Sequence, residues 1–233
     1  LAQDATVTIS GYDATISYTG GDGNDVELVF VNPNTAPTAG DVNGVAVEDG
    51  GPVVIAYNAD DVDPDDSTST LSYNFITLPG EGSVSDNGDG TFTFDPGTDF
   101  QDLGVGETRQ VSFTYQATDS HSDSSTIAII TITVQGTNDG INAAPNLVST
   151  QYQTAIDIDV LSNDVDIDGD TLHVSGIETA TWVPSPSGTS ALGVTVTING
   201  DNTLHYDPTG LFDTLAPGET VRDSFQYFAA DPY

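Results

Sequence analysis

Two stretches of the chain concentrate carboxylates. Asp60-Asp61-Val62-Asp63-Pro64-Asp65-Asp66 and Asp164-Val165-Asp166-Ile167-Asp168-Gly169-Asp170 each place at least four aspartates within seven residues. Like charges crowded on one loop repel unless a cation neutralises them. Ca²⁺ takes about 6–8 oxygen ligands in flexible geometry and suits such a loop better than Mg²⁺, which demands a tighter octahedron. Calcium coordination is the expected chemistry, because the alternative, two solvated turns, does not explain why the clusters recur at equivalent places. Neither stretch is an EF-hand loop. The Glu required at position 12 is Ser72 in the first and Ser175 in the second, and no flanking helices are expected.

Other chemistries find little support. The chain has 233 residues with 36 Asp+Glu against 2 Lys+Arg, a formal net charge of −34. Arg109 and Arg222 cannot make the basic patch that nucleic acid or an anionic membrane needs. No apolar run approaches the ~20 residues of a membrane span, so no membrane insertion is expected. The absence of Cys removes disulfides, thiolate catalysis and Cys-based zinc sites. There is no Gly-x-Ser-x-Gly elbow. His121 sits in a polar Ser-His-Ser-Asp loop, His173 and His205 in strand-like contexts, and none is spaced as a metal pair. No catalytic residue is expected. Gly20-Gly21-Asp22-Gly23-Asn24-Asp25 has the form of one calcium-binding nonapeptide, but stands alone and reads as a hairpin turn. Trp182, the only Trp, reads as a cap on a sheet edge rather than a sugar platform.

The elements that must position the aspartates come from an internal repeat. Phe94-Asp95-Pro96 through Phe113, Tyr115, Ala117 and Asp119 recurs as Tyr206-Asp207-Pro208 through Phe225, Tyr227, Ala229 and Asp231, at a constant spacing of 112. Asp61-Val62-Asp63 matches Asp164-Val165-Asp166 at a spacing of 103, and Thr35-Ala36-Pro37 matches Ala143-Ala144-Pro145 at 108. Spacings that hold within blocks and drift between them describe two homologous domains with loop insertions. Short alternating segments such as Val53-Ile55-Tyr57, Leu71-Tyr73-Phe75, Phe92-Phe94, Val111-Phe113-Tyr115-Ala117 and Ile130-Ile132-Val134 mark half-buried strands. Asn87-Gly88-Asp89-Gly90 supplies a hairpin turn. With 36% hydrophobic and 8% aromatic residues the chain can fill a core and is not disordered. The expected fold is all-β, with about seven strands in each sandwich.

The domain expectation is 1–33 as the last strands of a preceding β domain, 34–139 as repeat one, and 140–233 as repeat two without its last strand. The chain opens Leu-Ala-Gln-Asp and reads as a window on something longer. The open sheet reads as a cut through a tandem array, with completion by a neighbouring chain as the alternative.

Taken together, Asn34-Thr35-Ala36-Pro37, Val47-Glu48-Asp49-Gly50, Asp61-Val62-Asp63, Ala117-Thr118-Asp119 and Gly136-Thr137-Asn138-Asp139 resemble the bacterial cadherin-like repeats of large RTX-type surface adhesins, related to VCBS-type repeats. The resemblance covers residues 34 to 233. It implies tandem Greek-key, cadherin/Ig-like β-sandwiches with Ca²⁺ at the joints between domains. One site would draw on Glu48 of the first strand, with Asp102, then Asn138 and Asp139 of the linker, and Asp164, Asp166, Asp168 and Asp231 of the second repeat. Asp61, Asp63 and Asp119 would face an equivalent joint near Asn32 and Asn34. The implied function is that of extender modules of a giant adhesin, stiffened by Ca²⁺, at a Gram-negative cell surface and in biofilm. Neighbouring repeats would be the partners. A module binding surface glycans, or a fibre subunit that self-associates, is the competing reading.

Overall fold

Alternation of apolar with Thr, Ser and Asn residues drives the chain into strands, and Gly- and Asp-rich turns end them. The structure is a computed structural model and describes residues 4–9, 12–17, 27–31, 33–178 and 184–233. The Gly20–Asp25 turn, Asn32 and Trp182 lie outside the described residues. The chain divides into two compact units. One comprises residues 1–44, 53–94 and 112–132, the other 45–52, 95–111 and 133–233.

In the first unit, β1 (Thr6–Ile9), β2 (Tyr12–Ser17) and β3 (Glu27–Val31) form an antiparallel sheet in the order β1-β2-β3. Next come the short β4 (Thr38–Ala39) and β5 (Val42–Val47), followed by β6 (Val53–Ala56) and the short β7 (Ala59–Asp60). Then follow β8 (Ser72–Thr77), β9 (Ser83–Asp86), β10 (Thr91–Asp95), β11 (Thr108–Thr118) and β12 (Ala128–Gln135). They build a three-stranded sheet β6-β10-β9 and a four-stranded sheet β5-β12-β11-β8, while β4 pairs with β7. Asn87–Gly90 is the β9–β10 hairpin, with Gly88 and Gly90 at positive φ of 74° and 87°.

The two sheets meet through their inward aromatics, as period-two alternation requires. Phe92 of β10 and Phe113 of β11 meet edge to face with ring centroids 6.0 Å apart, and Tyr57 stacks on Tyr73 at 3.8 Å. Tyr115 is fully buried, and its hydroxyl donates to the Gly40 and Asn58 carbonyls at 2.8 and 2.9 Å.

In the second unit, β13 (Ile141–Asn142) pairs with β15 (Val165–Asp166). The strands β14 (Ile156–Ile158), β17 (Ser187–Thr189), β18 (Thr195–Ile198) and β19 (Leu204–Tyr206) form a sheet in the order β14-β19-β18-β17. Opposite it, β16 (His173–Ile177) pairs with β20 (Tyr227–Ala230). The core joins Ile158, Val160, Val174, Ile177, Val196 and Leu204. Tyr227 repeats the role of Tyr115, its hydroxyl donating to the Val160 carbonyl at 2.9 Å. Whereas β11 lies between β12 and β8, β20 among the described residues pairs only with β16. A cavity of ≈ 710 Å³, lined among others by Ile156, Ile158, Tyr206, Phe212 and Phe225, flanks the second core.

Candidate metal centre

The chain leaving β5 turns at once. Glu48–Gly50 forms a single 3-10 turn, closed by Gly51 at φ 75°. Glu48 was expected on the strand and stands instead just past its end, because this turn follows Val47. The turn directs its carboxylate inward, and only 2% of the residue is exposed. Oε1 accepts from the Thr137 backbone N–H at 2.5 Å and from the Thr137 hydroxyl at 3.2 Å. Just before Thr137 the chain passes close to residues 103–104, where a Cβ on Gly136 would overlap the Leu103 and Gly104 carbonyl oxygens. Two residues on, the Asp139 N–H donates to Asp168 Oδ2 at 2.8 Å.

The Asp166–Asp170 loop wraps on its own first residue. Asp166 Oδ1 accepts from the N–H groups of Asp168 and Asp170 at 3.0 and 3.2 Å, and Gly169 takes the left-handed φ of 78° that the turn needs. Carboxylate oxygens of Asp166, Asp168 and Asp170 lie within 4.8 Å of one another. The β13–β15 pair holds this loop beside the strand that continues from Asp139.

What remains over is a set of unused acceptors. Glu48 Oε2, Asp139 Oδ2, Asp166 Oδ2, Asp168 Oδ1 and Asp170 Oδ2 are all buried without a hydrogen-bond partner. Such atoms are costly unless a cation or a proton meets them. Burial pushes the Asp139 carboxyl up, and the carboxylates of Asp49, Asp168 and Asp166 push it further. Asp170 is raised by burial and then by Asp166, Asp168, Asp231 and Glu107. Glu48 is also raised, by burial first, against the lowering effect of the Thr137 hydrogen bonds. Five oxygens without nitrogen ligands are the donor set of a hard divalent ion.

In the first unit the corresponding residues are arranged differently. Asn34 Nδ2 donates to Asp119 Oδ2 at 2.9 Å and to Asp123 Oδ2 at 2.8 Å. Asp119 Oδ1 accepts from the N–H groups of His121 and Asp123 at 2.9 and 2.8 Å. Burial raises the Asp119 carboxyl, but these bonds outweigh it and hold it below its ordinary value. Asp63 Oδ2 accepts from the Thr35 N–H at 2.7 Å, and Asp61 Oδ1 from the Asp63 N–H at 2.8 Å. Asn34 Oδ1 and Asp61 Oδ2 are left without a hydrogen-bond partner. Beside them Asp65, Asp66 and His121 bring ligand atoms within 4.8 Å of one another, and Ser120 donates to Asp66 at 2.9 Å.

Comparison with known families divides the chain after residue 33 into two stretches. Residues 34–136 match the model of the bacterial cadherin-like domain, and residues 138–233 that of the bacterial Ig domain. By these matches the chain carries a bacterial cadherin-like domain followed by a bacterial Ig domain. No curated protein matches it. Among solved structures, extracellular cadherin domains 1–4 of protocadherin gamma B7 align with a TM-score of 0.41 and 14% identity, over 94% of this chain and 56% of that one. Domains 1–3 of protocadherin gamma C5 give 0.39 and 15%, over 88% and 66%. The sialic acid binding region of a Streptococcus sanguinis SK1 adhesin gives 0.31 and 12%, over 89% and 56%. The chain thus spans less than two thirds of each of these three structures. Cadherin-like and Ig domains are structural and adhesive modules, and no catalytic family matches. Among the described residues no helix is long and apolar enough to cross a membrane.

Of the residues singled out from the sequence, Glu48, Asp139, Asp166 and Asp168 contribute to the unpartnered set. Asn138 and Asp231 flank it, joined by an Nδ2–Oδ2 hydrogen bond of 3.3 Å. Asp164 is engaged elsewhere. Its oxygens accept from the Ala144 N–H and the Tyr227 hydroxyl, both at 2.7 Å, which pins the start of the Ig domain to its own sandwich. Asp102 is bound to Arg109 at 2.6 Å. Asp170 stood in the acidic stretch but, like Asp49 and Thr137, was not named as a ligand. The unbroken Asp-x-Asp-x-Asp alternation from Asp164 onward was the available signal for Asp170, and adjacency to Glu48 the signal for Asp49.

Proposed function

We propose that this pair of domains is an extender segment of a large bacterial surface adhesin, stiffened by Ca²⁺ bound at the Glu48–Asp170 cluster. The observation that carries this reading is the set of five buried oxygens without a hydrogen-bond partner, supplied by Glu48, Asp139, Asp166, Asp168 and Asp170. Cadherin-like domains generally bind calcium, which agrees with this donor set. The ion would tie three separate segments together: the turn after β5, the Thr137–Asp139 stretch and the Asp166–Asp170 loop. Each segment brings negative charge, so without the ion they repel, and with it they hold one geometry. Net charge far from zero keeps a long array soluble once its clusters are filled. Neighbouring repeats are the partners in this reading, and its setting is the surface of a Gram-negative cell, with attachment and biofilm as the outcome of an RTX-type protein.

Limited proteolysis tests it. In EDTA, cleavage is expected within residues 136–143, with protection by Ca²⁺ and little by Mg²⁺. Equal cleavage in all three solutions would contradict the reading.

A further inference from the structure

Among the described residues Asp49, Asp89, Asp139 and Asp168 are each followed directly by glycine. In such a pair no Cβ keeps the glycine nitrogen from the aspartate side-chain carbon. The nitrogen attacks Cγ, the N–Cγ bond forms, and a carboxyl oxygen leaves as water with the nitrogen's proton. Water then reopens the cyclic imide. Where it breaks the bond between the nitrogen and the main-chain carbonyl carbon, the chain runs on through the side chain as isoaspartate, with no change in mass. The first step needs a carboxyl free to turn onto the next nitrogen, and proximity of the reacting atoms decides its rate.

Three of the four pairs are held away from that geometry. Asp49 accepts from Gln101 Nε2 at 3.0 Å and from the Thr137 hydroxyl at 3.3 Å, and Gly50 is fixed in the 3-10 turn. Asp89 Oδ1 accepts from the Thr91 N–H and hydroxyl at 3.1 and 2.6 Å, while Gly90 lies against the Thr68 carbonyl. Asp168 Oδ2 accepts from the Asp139 N–H, and the Gly169 N–H donates to the Asp166 carbonyl at 3.3 Å. Asp139 differs. Its Oδ2 is buried without a hydrogen-bond partner, and the carboxylates of Asp49, Asp168 and Asp166 act on it. Gly140 is exposed, with open space where a Cβ would stand.

We propose that Asp139-Gly140 is a site of spontaneous covalent modification, at which the folded chain converts aspartate to isoaspartate ahead of its other Asp-Gly pairs. The change adds a methylene to the main chain and shifts the carboxylate. The Thr137–Asp139 stretch then no longer matches the two bonds that hold it, from Thr137 to Glu48 and from Asp139 to Asp168. The inference does not depend on the calcium reading.

Incubation of the 233-residue chain in EDTA at neutral pH and 37 °C, followed by peptide mapping, tests this. Isoaspartate is read by resistance to cleavage by endoproteinase Asp-N and by labelling with isoaspartyl methyltransferase. Deamidation at Asn-Gly pairs is told apart by its change in mass. Isoaspartate is expected at position 139 at least about tenfold faster than at 49, 89 or 168, a difference of geometry alone. In urea the four pairs should react alike. Gly140→Ala, whose Cβ meets nothing in the folded chain, should suppress the product at 139 at least about tenfold. Faster conversion at any of the other three pairs, the same pattern in urea as in the folded chain, or undiminished product in Gly140→Ala would overturn the proposal.

Discussion

The carboxylate of Glu48 accepts a hydrogen bond from the Thr137 backbone N–H at 2.5 Å, joining positions 89 residues apart in the sequence. Only one of its oxygens is used. The other is buried without a hydrogen-bond partner, in a cluster where the carboxylates of Asp139 and Asp49 act on it. One side chain thus fastens the segment after β12 to the turn after β5 and leaves an acceptor for a cation.

The raised carboxyls of Glu48, Asp139 and Asp170 fix a pH dependence. With a raised pKa the native chain holds these protons more tightly than the unfolded chain. Without ion, their contribution to stability is therefore present below the ordinary values of 4.5 and 3.8 and is lost as pH rises through the native values. Asp119 and Asp231 are lowered and act oppositely, their contribution being lost only as pH falls below 3.8. In EDTA, Tm should rise on acidification from neutral pH toward the ordinary carboxylate range and fall again below it. In saturating Ca²⁺ the first rise should disappear, because protons then compete with the ion. Scanning calorimetry across pH with and without Ca²⁺ checks both curves.

Gly136→Ala should destabilise the chain by about 1–3 kcal/mol, the usual cost of overpacking. The added Cβ meets the Leu103 and Gly104 carbonyl oxygens, which are backbone and cannot swing away. Gly140→Ala, four residues on with open space around its Cβ, should change stability little. Urea unfolding of the two variants makes the comparison.

Tyr115→Phe should cost about 1–3 kcal/mol, because the Gly40 carbonyl loses the hydroxyl as its donor and Asn58 keeps only the Gly40 N–H. Tyr227→Phe should do the same in the Ig domain. It also frees Asp164 from the tyrosine hydroxyl, so Ca²⁺ binding by Tyr227→Phe should be measured alongside. Unfolding monitored by denaturant titration gives both values.

Phe113→Ala should cost about 3–5 kcal/mol. The ring is 1% exposed and meets both Phe75 and Phe92 edge to face.

Much of this was legible from residue pattern. Period-two alternation marked Phe92, Phe94, Phe113, Tyr115, Ile130 and Ile132 as inward-facing, and each is buried. The short strands β4, β7 and β13 were not legible, because two-residue pairings leave no alternation to read. At the site, residue type and spacing identified the acidic loops but not which oxygens are already used. Asp164 and Asp166 look alike in sequence. The structure gives the first to Ala144 and Tyr227 and leaves the second with a spare oxygen. That difference depends on a hydroxyl 63 residues away, which no local pattern carries.

The most direct test of the calcium account is thermal unfolding in EDTA, in Ca²⁺ and in Mg²⁺ at equal ionic strength. An ion that binds only the native chain stabilises it by mass action, by about 2.7 kcal/mol at a hundredfold excess over its dissociation constant. The account predicts a rise in Tm with Ca²⁺ that Mg²⁺ does not match and that Asp166→Asn abolishes. An equal response to Ca²⁺, Mg²⁺ and NaCl would contradict it, reducing the cluster to a screened acidic surface.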